Sequence, residues 1–211
     1  MNKLVLIGGG AAAGLLGLVA LAARGSKLLP RGRRPGAAVV IGDSIAAHGG
    51  FVGVIGRVPG MVVENAGIVG NSTGQMLARA EGLIRPGLVD VIVEGDLNDG
   101  ARRSSYTISN LRRIYQLARS AGARVIAVTS TPWRGYTRWS PEAQARQDEV
   151  RRWVLGGADG LVDVAIDVYT PLQDPARPGY LNPAYATQDR LHLNRAGQER
   201  LGQLIVERAY A

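Results

Sequence analysis

Apolar segments of strand length alternate five times with segments of helical periodicity after residue 36. The apolar segments are nearly continuous, which is typical of strands buried on both faces of a parallel sheet. Right-handed crossovers then place the intervening helices on both sides of that sheet. The pattern therefore predicts a three-layer α/β/α sandwich with a five-stranded parallel sheet. The predicted strands are residues 37–41, 61–64, 89–93, 124–128 and 161–164, and the predicted helices are residues 45–57, 73–84, 105–121, 141–155 and 195–210.

The first 24 residues have a different character. Residues 4–23 are twenty uncharged residues rich in Leu, Val, Ala and Gly. As a hydrophobic helix they would span about 30 Å, the thickness of a bilayer core, which favours a membrane anchor. A cleaved signal segment is the second interpretation, because the Ala-Leu-Ala sequence at residues 20–22 resembles a signal-peptidase site. A dinucleotide loop at residues 8–14 is disfavoured, since the segment that follows has no polar face.

Positive charge is concentrated at the N-terminus. The formal net charge is +8, and the first 34 residues contain six of the 25 basic residues and none of the 17 acidic ones. Residues 25–36 are basic and interrupted by Pro and Gly, which predicts a linker before a domain of residues 37–211. That domain is nearly balanced in charge and has no basic stripe with interleaved aromatic residues, which argues against a nucleic-acid partner. We predict a protein that is membrane-associated through residues 4–23 or exported to the cell envelope; its orientation stays open.

A serine follows the first predicted strand, in the sequence Ile41-Gly42-Asp43-Ser44. In parallel sheets, ligands bind beyond the carboxyl ends of the strands. A serine between a strand and a helix has its hydroxyl at that edge and has backbone N–H groups nearby that can stabilise an anion. Ser44 is therefore a candidate nucleophile, although a helix cap is the alternative interpretation of this stretch alone. A cysteine nucleophile is excluded, because the chain has no cysteine.

Polar turns follow the second and third predicted strands. Residues 65–72 contain two glycines, and Gly70 could offer its N–H to an anion. Residues 94–100 contain Asn98, whose side-chain amide is a second candidate donor. Ordinary turn chemistry explains either stretch equally well when it is taken alone.

The last predicted helix is preceded by Asp189 and His192. Their spacing of three lets the carboxylate meet the imidazole ring, which fixes the tautomer and leaves the other ring nitrogen free to accept a proton. The only other histidine, His48, has no acid so placed and is predicted to lie at the rim of the site.

Together these four blocks resemble the SGNH (GDSL) hydrolase family over about residues 37–208. The shared motifs are Gly-Asp-Ser ending at Ser44, Asn-Ala-x-x-x-Gly ending at Gly70, an Asn-Asp pair beginning at Asn98, and Asp189-x-x-His192 followed by Leu-Asn-x-x-Gly. The resemblance implies a flavodoxin-like SGNH fold. It also implies acyl transfer to Ser44, with His192 as general base and Asp189 orienting it.

The same resemblance implies an oxyanion hole built from the N–H groups of Ser44 and Gly70 and the amide of Asn98. It implies no metal and no organic cofactor. One position departs from the family pattern: Asp96 stands where the third block usually has glycine. A carboxylate there would oppose a developing oxyanion unless it is turned away, hydrogen-bonded or protonated.

Two long connections at the predicted active edge carry most of the aromatic residues. Trp133, Tyr136 and Trp139 fall in the first connection, together with Arg134 and Arg138. We predict that these three aromatic residues bind the substrate, which would be a sugar or an acyl chain. The nearby arginines favour a substrate that is anionic. The alternative is that the rings only hold the long loops in place.

The sequence thus predicts a serine ester hydrolase that acts on an O-acetylated carbohydrate or on an acyl lipid or thioester. A non-catalytic envelope or interaction protein on the same scaffold is the alternative, suggested by Asp96 and by the N-terminal segment. The sequence gives no prediction of oligomeric state.

Overall fold

Five parallel strands form the sheet at the centre of residues 36–211, the part of the chain that the computed structural model describes. Neighbouring strands follow the order β2-β1-β3-β4-β5, so β1 and β3 lie at the middle of the sheet. The strands are β1 (Gly36–Gly42), β2 (Met61–Gly67), β3 (Leu88–Glu94), β4 (Arg124–Val128) and β5 (Val164–Ile166).

Helices cover both faces of this sheet. One face packs against α1, α2, α6 and α7, and the other packs against α3, α4 and α5. The predicted three-layer sandwich with a five-stranded parallel sheet is therefore confirmed. The helices are α1 (Ser44–Ala47), α2 (Gly50–Gly56), α3 (Thr73–Leu83), α4 (Ser104–Ser120), α5 (Pro141–Leu155), α6 (Tyr169–Leu172) and α7 (Arg195–Ala209).

The apolar run in β1 reflects burial on both sides. Val40 packs into the core beside α2 and α7, whereas Val39 and Ile41 pack into the core beside α3 and α4. All three side chains are fully buried. Since successive side chains of a strand point to opposite faces, only a strand covered twice needs such an uninterrupted sequence.

The helix predicted over residues 45–57 is wrong as a single element, because it is divided into α1 and α2. Gly49, between them, has a φ of 76°, a left-handed conformation that interrupts the helix and that glycine adopts without strain. Gln198 of α7 fills the break. Its amide donates to the carbonyl of Ile45 at 3.0 Å and accepts from the N–H of Phe51 at 2.9 Å.

The fifth strand also differs from its predicted bounds of residues 161–164. A short 3-10 turn at Ala158–Gly160 comes first, and the strand register with β4 begins at Val164. Asp163 makes the transition, because its carboxylate accepts from the N–H of Val125 at 2.8 Å. The strand therefore begins three residues later and ends at Ile166.

The predicted membrane anchor or signal segment of residues 1–24 lies outside the described residues, as does the predicted linker except for Gly36, which begins β1. Among residues 36–211, no helix has the length and apolar character needed to cross a bilayer.

Candidate active site

Ser44 lies where the sequence predicted, at the junction of β1 and α1. It is the first residue of α1, and its side chain is 7% exposed. Asp43 caps the helix, since its Oδ1 atom accepts from the N–H of Ile45 at 2.9 Å. The capping interpretation thus applies to Asp43 and leaves the Ser44 hydroxyl free for another partner.

That partner is His192, which is 148 positions away in the sequence. The Nε2 atom of His192 lies 2.9 Å from Oγ of Ser44, and its Nδ1 atom lies 2.5 Å from Oδ2 of Asp189. The three side chains form a continuous Ser–His–Asp chain of hydrogen bonds. The carboxylate favours a proton on Nδ1, so Nε2 is the nitrogen that can accept the serine proton.

Asp189 is held by three further groups on its own loop. Its Oδ1 atom accepts from the hydroxyl of Thr187 at 2.6 Å and from the N–H groups of Leu191 and His192, each at 3.0 Å. Partial burial opposes ionisation, but the hydrogen bonds from Thr187 and His192 outweigh it and hold the pKa of Asp189 well below its usual range. Asp189 is therefore a fixed anion at neutral pH.

The conformation of the loop at residues 187–194 brings Asp189 into contact with the imidazole of His192. Arg190 adopts a left-handed conformation with a φ of 61°, and the N–H of Thr187 donates to the carbonyl of His192 at 2.9 Å. Asn194 then caps α7 by accepting from the N–H of Gly197. A Cβ atom on Gly197 would lie 2.5 Å from the carbonyl oxygen of Tyr185, which is why the motif needs glycine there.

His48 ends α1 and is exposed, as predicted for a rim residue. Its ring centroid lies 5.1 Å from that of His192, with a tilt of 54° between the planes. The described structure gives His48 no carboxylate partner.

The two candidate oxyanion donors lie on adjoining loops. Gly70 follows β2 in a left-handed conformation, with a φ of 75°, and is exposed. Asn98 lies in a 3-10 turn after β3, and its Nδ2 atom donates to Oδ2 of Asp43 at 3.1 Å and to the carbonyl of Asn71 at 3.2 Å. The Asn98 amide therefore joins the residue before Ser44 to the residue after Gly70.

Arg79 of α3 fixes the Gly70 loop, a contact that the sequence analysis missed. Its guanidinium donates to Oδ1 of Asn71 and to the carbonyl of Gly42, both at 3.0 Å, and to the carbonyl of Ala66. These acceptors belong to the ends of β1 and β2 and to the turn between β2 and α3. No local sequence signal distinguishes Arg79 from the other arginines on predicted helices.

Asp99 ties the Asn98 turn to α3 and α4. Its carboxylate accepts from the N–H of Thr73 at 2.8 Å, from the Thr73 hydroxyl at 2.6 Å and from the hydroxyl of Thr107. Asp99 is buried, and these three donors satisfy its charge. The two residues of the Asn-Asp pair therefore have different partners: Asn98 contacts Asp43, the residue before Ser44, whereas Asp99 contacts α3 and α4.

The carboxyl groups of Asp43, Glu94 and Asp96 interact electrostatically with one another. Burial, with contributions from neighbouring carboxylates, raises the pKa of Glu94 well above its usual value and that of Asp96 to about 8. Burial also raises the pKa of Asp43 to about 6, despite the hydrogen bond from Ile45 and the nearby His192. Oδ1 of Asp96 is shielded from solvent and has no hydrogen-bond partner within the described residues. At neutral pH Asp96 is therefore mostly protonated. A neutral carboxyl group does not repel a nearby oxyanion, so Asp96 in place of the family's glycine is compatible with an oxyanion hole.

The predicted substrate-binding aromatics are separated by the structure. Trp133 and Tyr136 line a cavity of about 310 Å³ whose wall also includes Asn98 and Leu191, the residue before His192. Trp139 is not part of that wall; it packs against Arg134 and donates its indole N–H to Gln144 at 3.1 Å. The cavity wall thus includes the residue before His192 and the candidate oxyanion donor Asn98.

No three histidine, aspartate or glutamate side chains among residues 36–211 converge as a metal site would require.

Residues 40–200 match the sequence model of the GDSL-like lipase/acylhydrolase family. A search of curated proteins gives no match. Solved structures with the same fold include an acetylxylan esterase from Geobacillus stearothermophilus, with a TM-score of 0.67 at 19% identity, covering 83% of this chain and 94% of the other. They also include a lipase/acylhydrolase from Enterococcus faecalis, with a TM-score of 0.62 at 23% identity over 81% and 93% of the two chains. A GDSL-like lipase from Bacteroides thetaiotaomicron has a TM-score of 0.64 at 21% identity over 82% and 87%.

Proposed function

Because this chain belongs to the GDSL-like lipase/acylhydrolase family and is a carboxylic-ester hydrolase of that family, we propose that it works by acyl transfer through Ser44, His192 and Asp189. The observation that carries this proposal is the 2.9 Å contact between Oγ of Ser44 and Nε2 of His192. A nucleophile and its base must be within hydrogen-bond reach, and here they already are.

In the first half of the reaction, His192 removes the proton from Ser44 as the hydroxyl oxygen attacks the ester carbonyl. The resulting tetrahedral oxyanion collapses, the C–O bond to the alcohol breaks, and His192 gives its proton to the departing alkoxide. In the second half, His192 takes a proton from water as the water oxygen attacks the acyl carbonyl. The C–Oγ bond then breaks, His192 returns the proton to Oγ of Ser44, and the carboxylic acid product leaves. Asp189 stabilises the imidazolium in both halves without taking the proton itself.

The oxyanion is proposed to be bound by the N–H groups of Ser44 and Gly70 and by the Asn98 amide. Ser44 begins α1, so its N–H is one of the unpaired donors at a helix start. Asn98 is anchored by Asp43 and by the Asn71 carbonyl, at the long distances of 3.1 and 3.2 Å. In the transition state, the Asn98 amide would give up one of these two contacts and donate to the oxyanion instead. The new hydrogen bond would be charge-assisted and therefore stronger.

The substrate is proposed to be an O-acetylated carbohydrate or an acyl lipid or thioester. The Geobacillus acetylxylan esterase shares the fold of this chain at 19% identity. By analogy with that esterase, we propose a small acyl group. The cavity next to the triad has aromatic, aliphatic and cationic walls, which suit a substrate with polar groups beyond the ester.

A panel of p-nitrophenyl esters from acetate to palmitate, together with acetylated xylo-oligosaccharides and an acyl thioester, tests this proposal. The full-length chain should hydrolyse at least one class, and the Ser44→Ala variant should hydrolyse it at least 10³-fold more slowly. Equal rates for the two proteins would instead favour the non-catalytic alternative, which the family match disfavours.

The cellular placement is a separate proposal, supported by residues 4–23. The full-length chain is expected to partition with membranes through this segment. Recovery of a soluble product that begins near Ala23 would replace the anchor with a cleaved signal segment.

A further inference from the structure

The cavity beside the triad has an uneven distribution of charge. Arg138 and Arg146 line it, and none of its lining residues is an acid. Arg138 is exposed, and within residues 36–211 it forms no ion pair with a carboxylate. Arg146 is half-buried; its Nη2 atom reaches the carbonyl of Gly100 at 3.4 Å, and its buried Nε atom has no hydrogen-bond partner in the described chain. Glu142, one helical turn before Arg146, interacts electrostatically with Arg146 but does not line the cavity.

Hydrogen-bond donors without partners accompany these charges. The indole N–H of Trp133 is buried, as is the amide of Gln147, and neither has a partner among the described residues. Trp133 and Arg146 line both the cavity and a smaller chamber, which Gln147, Asp96 and Asp99 also line. The shielded donors are closed to a ligand in the larger cavity, so the cationic residues available to such a ligand are Arg138 and Arg146.

The start of α5 adds to this positive field. Ser140, which caps the helix, and Ala143 in its first turn belong to the cavity wall. Helix starts carry a partial positive charge, which favours an anion. Two arginines and a helix start therefore border one cavity.

We infer that this cavity binds an anionic substituent, a carboxylate or a phosphate, on the alcohol portion of the ester substrate. This inference rests on the proposed function. His192 must protonate the departing alkoxide, so the alcohol portion lies on the His192 side of the scissile bond. Leu191, in the cavity wall, directly precedes His192. Arg138 and Arg146 pair with the substituent.

Matched acetate esters test the inference. 4-Acetoxybenzoate carries a carboxylate, 4-acetoxyphenyl phosphate carries a phosphate, and 4-acetoxybenzamide is neutral and of similar size. The measured quantity is kcat/KM for each anionic ester divided by that for the neutral ester, at low ionic strength and corrected for spontaneous hydrolysis. We expect at least one ratio to fall about tenfold in Arg138→Gln and in Arg146→Gln, as loss of one charge-assisted hydrogen bond implies.

Arg113→Gln is the control, because Arg113 is an exposed arginine of α4 outside the cavity wall, and its ratio should equal that of the unmodified chain. If the ratio for 4-acetoxybenzoate falls more, the ligand is a carboxylate; if the ratio for 4-acetoxyphenyl phosphate falls more, the ligand is a phosphate. Unchanged ratios in Arg138→Gln, which is exposed and should fold, would overturn the inference. Binding of the product 4-hydroxybenzoate to Ser44→Ala, measured by calorimetry, should weaken similarly when Arg138 is replaced. If no ester of the panel gives Ser44-dependent turnover, the proposed function fails instead, whatever the calorimetry shows.

Discussion

The Nδ2 atom of Asn98 lies 3.1 Å from Oδ2 of Asp43, so the residue before the nucleophile orients the amide that is proposed to bind the oxyanion. The other oxygen of Asp43 caps α1 through the N–H of Ile45. One carboxylate therefore fixes both the start of α1, at Ser44, and the amide of Asn98. These two contacts account for a buried aspartate in the Gly-Asp-Ser motif.

Replacement of Asn98 by alanine should lower kcat by about 10²–10³ and change KM little, because the lost donor acts on the transition state. Steady-state kinetics on the best ester of the panel provides the measurement. Asp43→Asn should give a smaller fall, since it turns an amide toward the Asn98 amide while Asn98 itself remains. An Asn98→Ala variant with unchanged kcat would remove Asn98 from the oxyanion hole.

Thr187 is expected to position Asp189, the carboxylate that orients His192. Asp189→Asn should lower kcat by about 10³–10⁴, because the amide no longer fixes the His192 tautomer. Thr187→Val should lower kcat by about three- to tenfold, because it removes the 2.6 Å hydrogen bond to Asp189 and leaves the carboxylate present. Thr187→Ser, which restores a hydroxyl, should recover most of that loss. A Val variant as active as its Ser counterpart would show that this hydroxyl has no role in positioning.

Asp96→Asn should stabilise the protein at alkaline pH and not at acid pH. Burial raises the pKa of Asp96 to about 8, whereas an unfolded aspartate has its usual pKa of 3.8. Between these values the folded state retains a proton that the unfolded state releases, so this group lowers the free energy of unfolding as pH rises. The variant should therefore gain several kcal/mol at pH 8 and little at pH 4 in urea denaturation.

Glu81→Gln is the control for this measurement, because Glu81 is an exposed carboxylate of α3 and should change stability by less than about 0.5 kcal/mol at either pH. Ionised Asp96 also adds negative charge near Asp43, so kcat/KM should decline as pH rises through about 8, and Asp96→Asn should lack that decline. Equal pH profiles of stability for the two proteins would contradict a protonated Asp96.

Arg79 is expected to act on catalysis through the Gly70 loop. Arg79→Gln removes the contacts with Gly42, Ala66 and Asn71, and we expect kcat to fall about 10- to 100-fold from the loosened oxyanion donors. Arg85→Gln, which removes an exposed ion pair with Glu64 and an exposed hydrogen bond to the carbonyl of Leu83, should leave kcat within twofold. Thermal melts of both variants separate lost stability from lost positioning. An Arg79→Gln variant whose kcat matches that of Arg85→Gln would rule out the positioning role.

Much of the architecture was accessible from sequence patterns. The bounds of β4 and α5 agree with the prediction, because continuous apolar character and helical periodicity are local properties. The division of α1 from α2 was not accessible in this way, since Gln198 satisfies the broken backbone from a distant helix. The shift of β5 has a similar cause, because Asp163 pairs with the backbone of β4.

The sequence by itself determined the parallel α/β fold and nominated Ser44, Asp189 and His192, since strand ends and an Asp-x-x-His spacing are visible in one dimension. Only the tertiary structure decided that Ser44 and His192 are in contact, because 148 residues separate them and no local rule sets their distance. It alone also decided that Asp96 is protonated, because burial and neighbouring carboxylates control that pKa. Local patterns depend on each residue and its near neighbours, whereas contact and charge at the site depend on which loops the sheet brings to one edge.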